Sequence, residues 1–232
     1  MKSKKEKIQS LKDIHNRLGK VSMLKYLSDK NVNVAQGSLS TKITDLITDS
    51  RRVTPGSAFF AIPGQRTDGN NFLKEAISRG AKTIISNRED IDLPQGITSV
   101  QTENPRLALA KFAKRYHGSP DKTLNVIVVT GTNGKTTVTT LVRHLLERAG
   151  RPVGLIGTVK YHLGDRDVPS FKTTPEASDI YPLLRSMLAA GCSEAVMEVS
   201  SHGIHQSRVA EMNMEVAVFL NLTRDHLDYH GN

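Results

Sequence analysis

Tryptophan is absent from this chain, aromatic residues make up only 5% of it, and a single cysteine, Cys192, stands among 232 residues. The lone thiol rules out an intrachain disulfide and any metal site built on several thiolates, and it suits a reducing compartment. With so few rings available, the core must be assembled from Val, Ile, Leu and Ala, which fill sheets covered by helices, so an α/β fold is expected. No run reaches the roughly eighteen apolar residues of a membrane span, and the basic N-terminal run leads into no apolar stretch of signal-peptide length. These absences predict a soluble, cytoplasmic protein with no membrane partner.

Positive charge is in excess, +9 overall, and most of it is local. Residues 1–25 hold eight Lys or Arg against two acids, which predicts a solvated basic extension over residues 1–22. No aromatic residue is interleaved with those cations, so no nucleic-acid partner is expected.

The rest reads as alternating strands and helices. A short helical segment is expected at 23–27, strands at 43–47, 58–62, 81–86 and 97–101, and helices from Phe72 to Gly80 and from Pro105 onward. Gly118-Ser119-Pro120-Asp121 interrupts the pattern, giving a first domain over 23–121 and a second over 122–232. The second opens on Val126-Ile127-Val128-Val129, a run suited to the middle of a parallel sheet. From Lys135, the residues Val138, Leu141, Val142, Leu145, Leu146 and Ala149 recur on one helical face, with Gly150 placed as a C-cap. Further strands are expected at 153–156, 195–199 and 216–220, and a helix at 177–190. The predicted architecture is a small mixed α/β domain followed by an incomplete P-loop-type domain with a mostly parallel sheet.

Between the buried strand and the amphipathic helix lies Gly131-Thr132-Asn133-Gly134-Lys135-Thr136-Thr137. Glycines let backbone approach phosphate oxygens, amides at a helix N-terminus attract an anion, Lys135 adds a point charge, and the Thr136 hydroxyl can ligate Mg²⁺, so the expected ligand is ATP. The usual P-loop glycine five residues before Gly134 is replaced by Val129. Glu198, at the end of a predicted strand, and His226, just past another, fall on the same predicted sheet edge, where open α/β folds bind ligands.

This loop, together with Glu198-Val199-Ser200-Ser201-His202-Gly203 and the run from Asn221 through Asp225-His226-Leu227-Asp228-Tyr229-His230 to Gly231, resembles the signatures of the Mur ligases, and among them the tripeptide-synthetase (MurE) type. The resemblance spans about residues 23–232. It implies an ATP-dependent amide ligase of peptidoglycan precursor synthesis, and hence of cell-wall biogenesis, cell shape and division. Such an enzyme activates the carboxylate of UDP-N-acetylmuramoyl-L-alanyl-D-glutamate as an acyl phosphate, which the amino group of an incoming amino acid then attacks. By the same resemblance Lys135, Glu198 and His226 are catalytic, and Thr136, Glu198 and His226 hold Mg²⁺. Thr48 and Ser50, with Gln65, Arg66 and Thr67, contact the uridine and diphosphate end, while Thr173, Thr174, Ser200, Gln206 and Arg208 line the muramyl-peptide path. Family members carry a longer central domain and a third, amino-acid-binding domain, so the 232-residue chain alone is expected to lack ligase activity. A sister Mur or folylpolyglutamate-type ligase, and a non-catalytic nucleotide-binding module, are the alternative readings.

Overall fold

The computed structural model describes residues 32–38, 40–64, 67–89 and 91–231; the expected basic extension and the helical segment at 23–27 lie outside them. The chain divides into two compact units, Met1–Gly118 and Ser119–Asn232.

In the first unit, β1 (Val32–Gln36), β2 (Leu46–Ile47), β3 (Ala58–Phe60), β4 (Thr83–Ser86) and β5 (Thr98–Thr102) form one sheet in the order β1-β5-β4-β3-β2. β2 to β5 run parallel, and β1, which the sequence pattern did not reveal, pairs antiparallel with β5. Successive strand side chains point to opposite faces. Phe59 accordingly packs with Ile47, Leu73, Ala76 and Ile84, whereas the Phe60 ring meets Phe112 edge-on at 5.9 Å. Both faces of β3 are covered, which explains its unbroken apolar run. Helix α1 (Leu73–Ser78) leads into β4, and α2 (Pro105–Tyr116) follows β5. Asn104 caps α2 by accepting from the Leu107 amide at 3.0 Å, with Pro105 in the first turn, where a missing N–H costs nothing. β2 is shorter than the strand expected at 43–47. The Thr44 amide and hydroxyl donate to Gly56 and Pro55 carbonyls, so that stretch bonds to a turn rather than to a strand.

The second unit holds β6 (Asn125–Thr130), β7 (Val153–Ile156), β8 (Lys160–His162), β9 (Asp167–Pro169), β10 (Glu194–Val199) and β11 (Val216–Phe219), ordered β11-β6-β10-β7-β8-β9. The first four of these in sheet order are parallel; β8 and β9 add antiparallel pairings. That hairpin of two three-residue strands escaped the sequence reading because strands so short show no periodicity. Helices α3 (Lys135–Arg148), α4 (Ala177–Ala189) and α5 (Ser201–His205) connect the strands, and α6 (Leu227–His230) follows β11.

The apolar face expected on α3 divides. Val142 and Leu146 pack against Val153, Leu155 and Val196, but Leu141 and Leu145 stay 57% and 67% exposed. β11 is likewise an edge strand with its apolar side chains open, Phe219 at 66% exposure. Periodicity marks which residues share a face, not whether that face is covered.

Candidate functional site

Register fixes the site. Thr130, the last residue of β6, lies opposite Val199 of β10 on one side and Phe219 of β11 on the other. Three parallel strands therefore end at one sheet edge, and just beyond them come Lys135 with Thr136 at the start of α3, Ser200, and His226.

The loop between β6 and α3 is held by glycine conformations and by its neighbour. Gly131 adopts φ +145°, and a Cβ there would lie 3.1 Å from the Asn221 amide nitrogen; Gly134 adopts φ +87° at the start of α3. Other residues rarely adopt these angles. Beyond β11, Asn221 accepts the Thr132 amide on its carbonyl (3.1 Å) and the Asn133 amide on Oδ1 (3.0 Å), and its Nδ2 donates to the Asn133 carbonyl (3.1 Å). Thr132 and Thr223 exchange two further hydrogen bonds. The amides of Thr132 and Asn133, expected from sequence to serve an anion, are thus already engaged. Those of Gly134, Lys135, Thr136 and Thr137 have no acceptor among the described residues and open α3, where the helix dipole favours negative charge. The Lys135 ammonium donates to the Gly131 and Thr132 carbonyls, which leaves one of its three N–H bonds for a ligand.

Glu198 is 1% exposed and sits within β10. Its Oε2 accepts from the Thr136 hydroxyl (3.0 Å) and the Thr158 hydroxyl (2.8 Å), and its Oε1 from the Thr158 amide (3.0 Å). No basic side chain pairs with it among the described residues. A buried carboxylate held only by neutral donors is short of positive charge, which is the environment a cation relieves. His226 begins α6 in the left-handed region (φ 52°, ψ 39°), and its ring meets that of His202 edge-on at 4.6 Å. Burial, together with the neighbouring charges of His226, His230 and Arg208, holds the His202 imidazole below its ordinary pKa. Lys135, Thr136, Glu198 and His226 line one cavity of about 300 Å³ together with Asn133, Gly134, Thr137, Thr158, Thr173 and Ser200. A larger cavity of about 620 Å³ adjoins it, sharing Thr132, Lys135, Ser200 and His226 and walled in part by Ile204, Phe219 and Leu222.

Thr174, Ser200, Gln206 and Arg208, expected to line the substrate path, each bond to protein groups. Thr174 is buried, its hydroxyl donating to the Glu198 carbonyl and accepting from the Ser200 amide, so its side chain supports the site from behind. The Ser200 hydroxyl caps α5 by accepting from the Gly203 amide. Arg208 turns its guanidinium inward to the Thr174 carbonyl, Gln206 Oε1 and Glu176 rather than presenting a free fork. Gln206 in turn donates to the Tyr229 hydroxyl. In the first unit Ser50 is buried and donates to Glu75 at 2.6 Å, Thr48 is half-buried and Thr67 exposed; Gln65 and Arg66 lie outside the described residues. Sequence reasoning missed Asn221 as a clamp and Thr158 as a partner of Glu198. The signal for Thr158 was present, since Gly157-Thr158 follows the buried strand β7, which ends at the sheet edge that carries Glu198.

Comparison with known proteins matches residues 129–232 to the family description "Mur ligase middle domain" and residues 42–124 to "Mur ligase family, catalytic domain". The UDP-N-acetylmuramoyl-L-alanyl-D-glutamate--2,6-diaminopimelate ligase of Geobacter metallireducens is 42% identical over 200 residues, covering 86% of this chain and 39% of the relative. A solved structure of a ligase of the same name superimposes with TM-score 0.76 at 28% identity, over 92% of this chain and 42% of that one. The MurF ligase of Thermotoga maritima, solved in complex with ADP, gives TM-score 0.51 at 26% identity, over 81% of this chain and 40% of that one. The chain thus spans about two-fifths of the length of the relatives it matches.

Proposed function

Since the chain belongs to the Mur ligase family, matched in both its catalytic and its middle domain, we propose that it forms the part of an ATP-dependent amide ligase that takes UDP-N-acetylmuramoyl-L-alanyl-D-glutamate and the phosphates of ATP. The observation that carries this reading is the single cavity shared by Lys135, Thr136, Glu198 and His226. A nucleotide diphosphate or triphosphate placed against the start of α3 meets the amides of Gly134 to Thr137, which have no acceptor among the described residues, and the remaining Lys135 N–H. These fixed dipoles need no reorganisation as negative charge moves between phosphoryl oxygens during transfer.

The donor set suits Mg²⁺. Among the described residues no three His, Cys, Asp or Glu side chains gather into a ready-made metal cluster, and Mg²⁺ is commonly held by one or two protein oxygens, with water and phosphate completing its shell. Thr136 and Glu198 would hold one ion, and His226 a second. When bound, such ions would offset charge on the phosphate oxygens. The chain's own residues do the rest: Lys135 and the α3 amides orient the phosphates, and Ser200 and Thr173, on the cavity wall, meet the acceptor carboxylate's side of the site. In the first unit, the turn bearing Thr48 and Ser50, with Gln65, Arg66 and Thr67, takes the uridine end. The relatives' name makes 2,6-diaminopimelate the first amino acid to test in a full-length enzyme.

Because the chain spans about two-fifths of its relatives, binding is the direct test. Titration calorimetry should show ADP and ATP binding that strengthens with Mg²⁺ and is lost in Lys135→Ala, and separate binding of UDP-N-acetylmuramoyl-L-alanyl-D-glutamate. Nucleotide binding without any affinity for the UDP-muramyl dipeptide would instead favour a nucleotide-binding module; absence of both overturns the proposal.

A further inference from the structure

Glu198 is held from two sides. Thr136 reaches it from the phosphate loop, while Thr158, forty residues earlier in the chain, gives it two bonds, one from the backbone amide and one from the hydroxyl. Gly157 makes room for this, since a Cβ there would lie 2.5 Å from Glu198 Oε1. The Thr158 hydroxyl also stands 3.0 Å from the Thr173 hydroxyl, and both side chains line the cavity that contains Glu198.

Hydrogen-bond polarity orders these groups. An ionised carboxylate only accepts, so Thr158 must spend its single O–H on Glu198 and can only accept from Thr173. Thr173 therefore gives its proton to Thr158 and turns its lone pairs toward the cavity. From this geometry we infer that Thr158 is a positioning residue: it fixes the Glu198 carboxylate in the orientation that receives a divalent cation, and it sets Thr173 as a hydrogen-bond acceptor for a donor group, such as an amide N–H, on the acceptor substrate. The inference rests on the proposed function of the same cavity.

The first test uses the 232-residue chain, with ADP titrated in Mg²⁺ and in EDTA. Loss of an outer-shell partner of a metal ligand weakens metal affinity by ~10- to 100-fold. Thr158→Val, which keeps shape and amide but removes the hydroxyl, should lose most of the Mg²⁺-dependent gain in ADP affinity while binding ADP in EDTA as the parent does. Thr158→Ser should restore the gain, and Gly157→Ala, which crowds Oε1, should behave like Thr158→Val. Equal Mg²⁺ dependence in Thr158→Val and parent overturns the inference, as does equal weakening with and without Mg²⁺, which would mark a structural role. If the parent binds no ADP, the nucleotide-binding half of the proposed function falls and takes the inference with it; if the parent responds to Mg²⁺ and Thr158→Val does also, only the inference falls.

Discussion

The side-chain amide of Asn221 brackets the backbone of Asn133, accepting from its N–H at 3.0 Å and donating to its carbonyl at 3.1 Å. The loop that follows β11 and leads to His226 thereby shapes the loop between β6 and α3. Two lost hydrogen bonds of about 1 kcal/mol each predict that Asn221→Ala weakens ADP binding by roughly tenfold or more. Hydrogen exchange at the Asn133 amide should accelerate in the same variant. Unchanged affinity with unchanged exchange would remove the clamp from the account.

Two glycines separate backbone strain from crowding. Gly131 (φ +145°) faces the backbone of Asn221, whereas Gly150 (φ +73°), after α3, has open space where a Cβ would go. Gly150→Ala should cost about 1 kcal/mol in stability, from the left-handed backbone alone, and leave ADP binding intact. Gly131→Ala should in addition displace the 131–133 loop and abolish ADP binding. Denaturant melts paired with calorimetry read both effects.

Acid should loosen the histidine-rich corner. His202 packs against His226 and, at 4.0 Å, against Tyr229, and its pKa lies below the ordinary 6.5, chiefly through burial. The unfolded chain then binds more protons than the folded one, so stability is retained above about pH 6.5 and falls as pH drops through that value toward the lower folded-state pKa. The melting temperature of the parent should fall more between about pH 7.5 and 5.5 than that of His202→Gln. Parallel curves for the two proteins would contradict this.

Exposed apolar residues should govern handling of the isolated chain. Phe219 on edge strand β11 and Leu145 on α3 are each about two-thirds exposed, and bare apolar edges invite association. Light scattering should show concentration-dependent self-association that Phe219→Glu with Leu145→Glu suppresses.

Cys192 should report on the integrity of the second unit. It is 6% exposed, and burial raises its thiol pKa, so little thiolate is available. A disulfide reagent should label it slowly in the native chain and fully on unfolding; rapid native labelling would place it at the surface.

Most elements of both units were legible in the sequence because the signals are local. The four buried residues of β7, the capped start of α2 and the glycines that frame the loop between β6 and α3 each follow from short-range patterning or from backbone angles that only glycine adopts readily. That the Gly131–Thr137 loop and Glu198 share one sheet edge could also be read in advance, since strand, loop and helix are contiguous and the edge is implied by parallel connectivity. Tertiary structure decided what those residues touch. Only the register of β10 beside β6 brings Glu198 to Thr136, only the fold brings Thr158 to Glu198 and Asn221 to Asn133, and only packing turns Thr174, Ser50 and Arg208 inward and leaves Leu141 and Leu145 outside. Hydrogen-bond partners separated by forty to ninety residues leave no periodic trace in a chain, whereas the conformation of each residue is constrained by its neighbours.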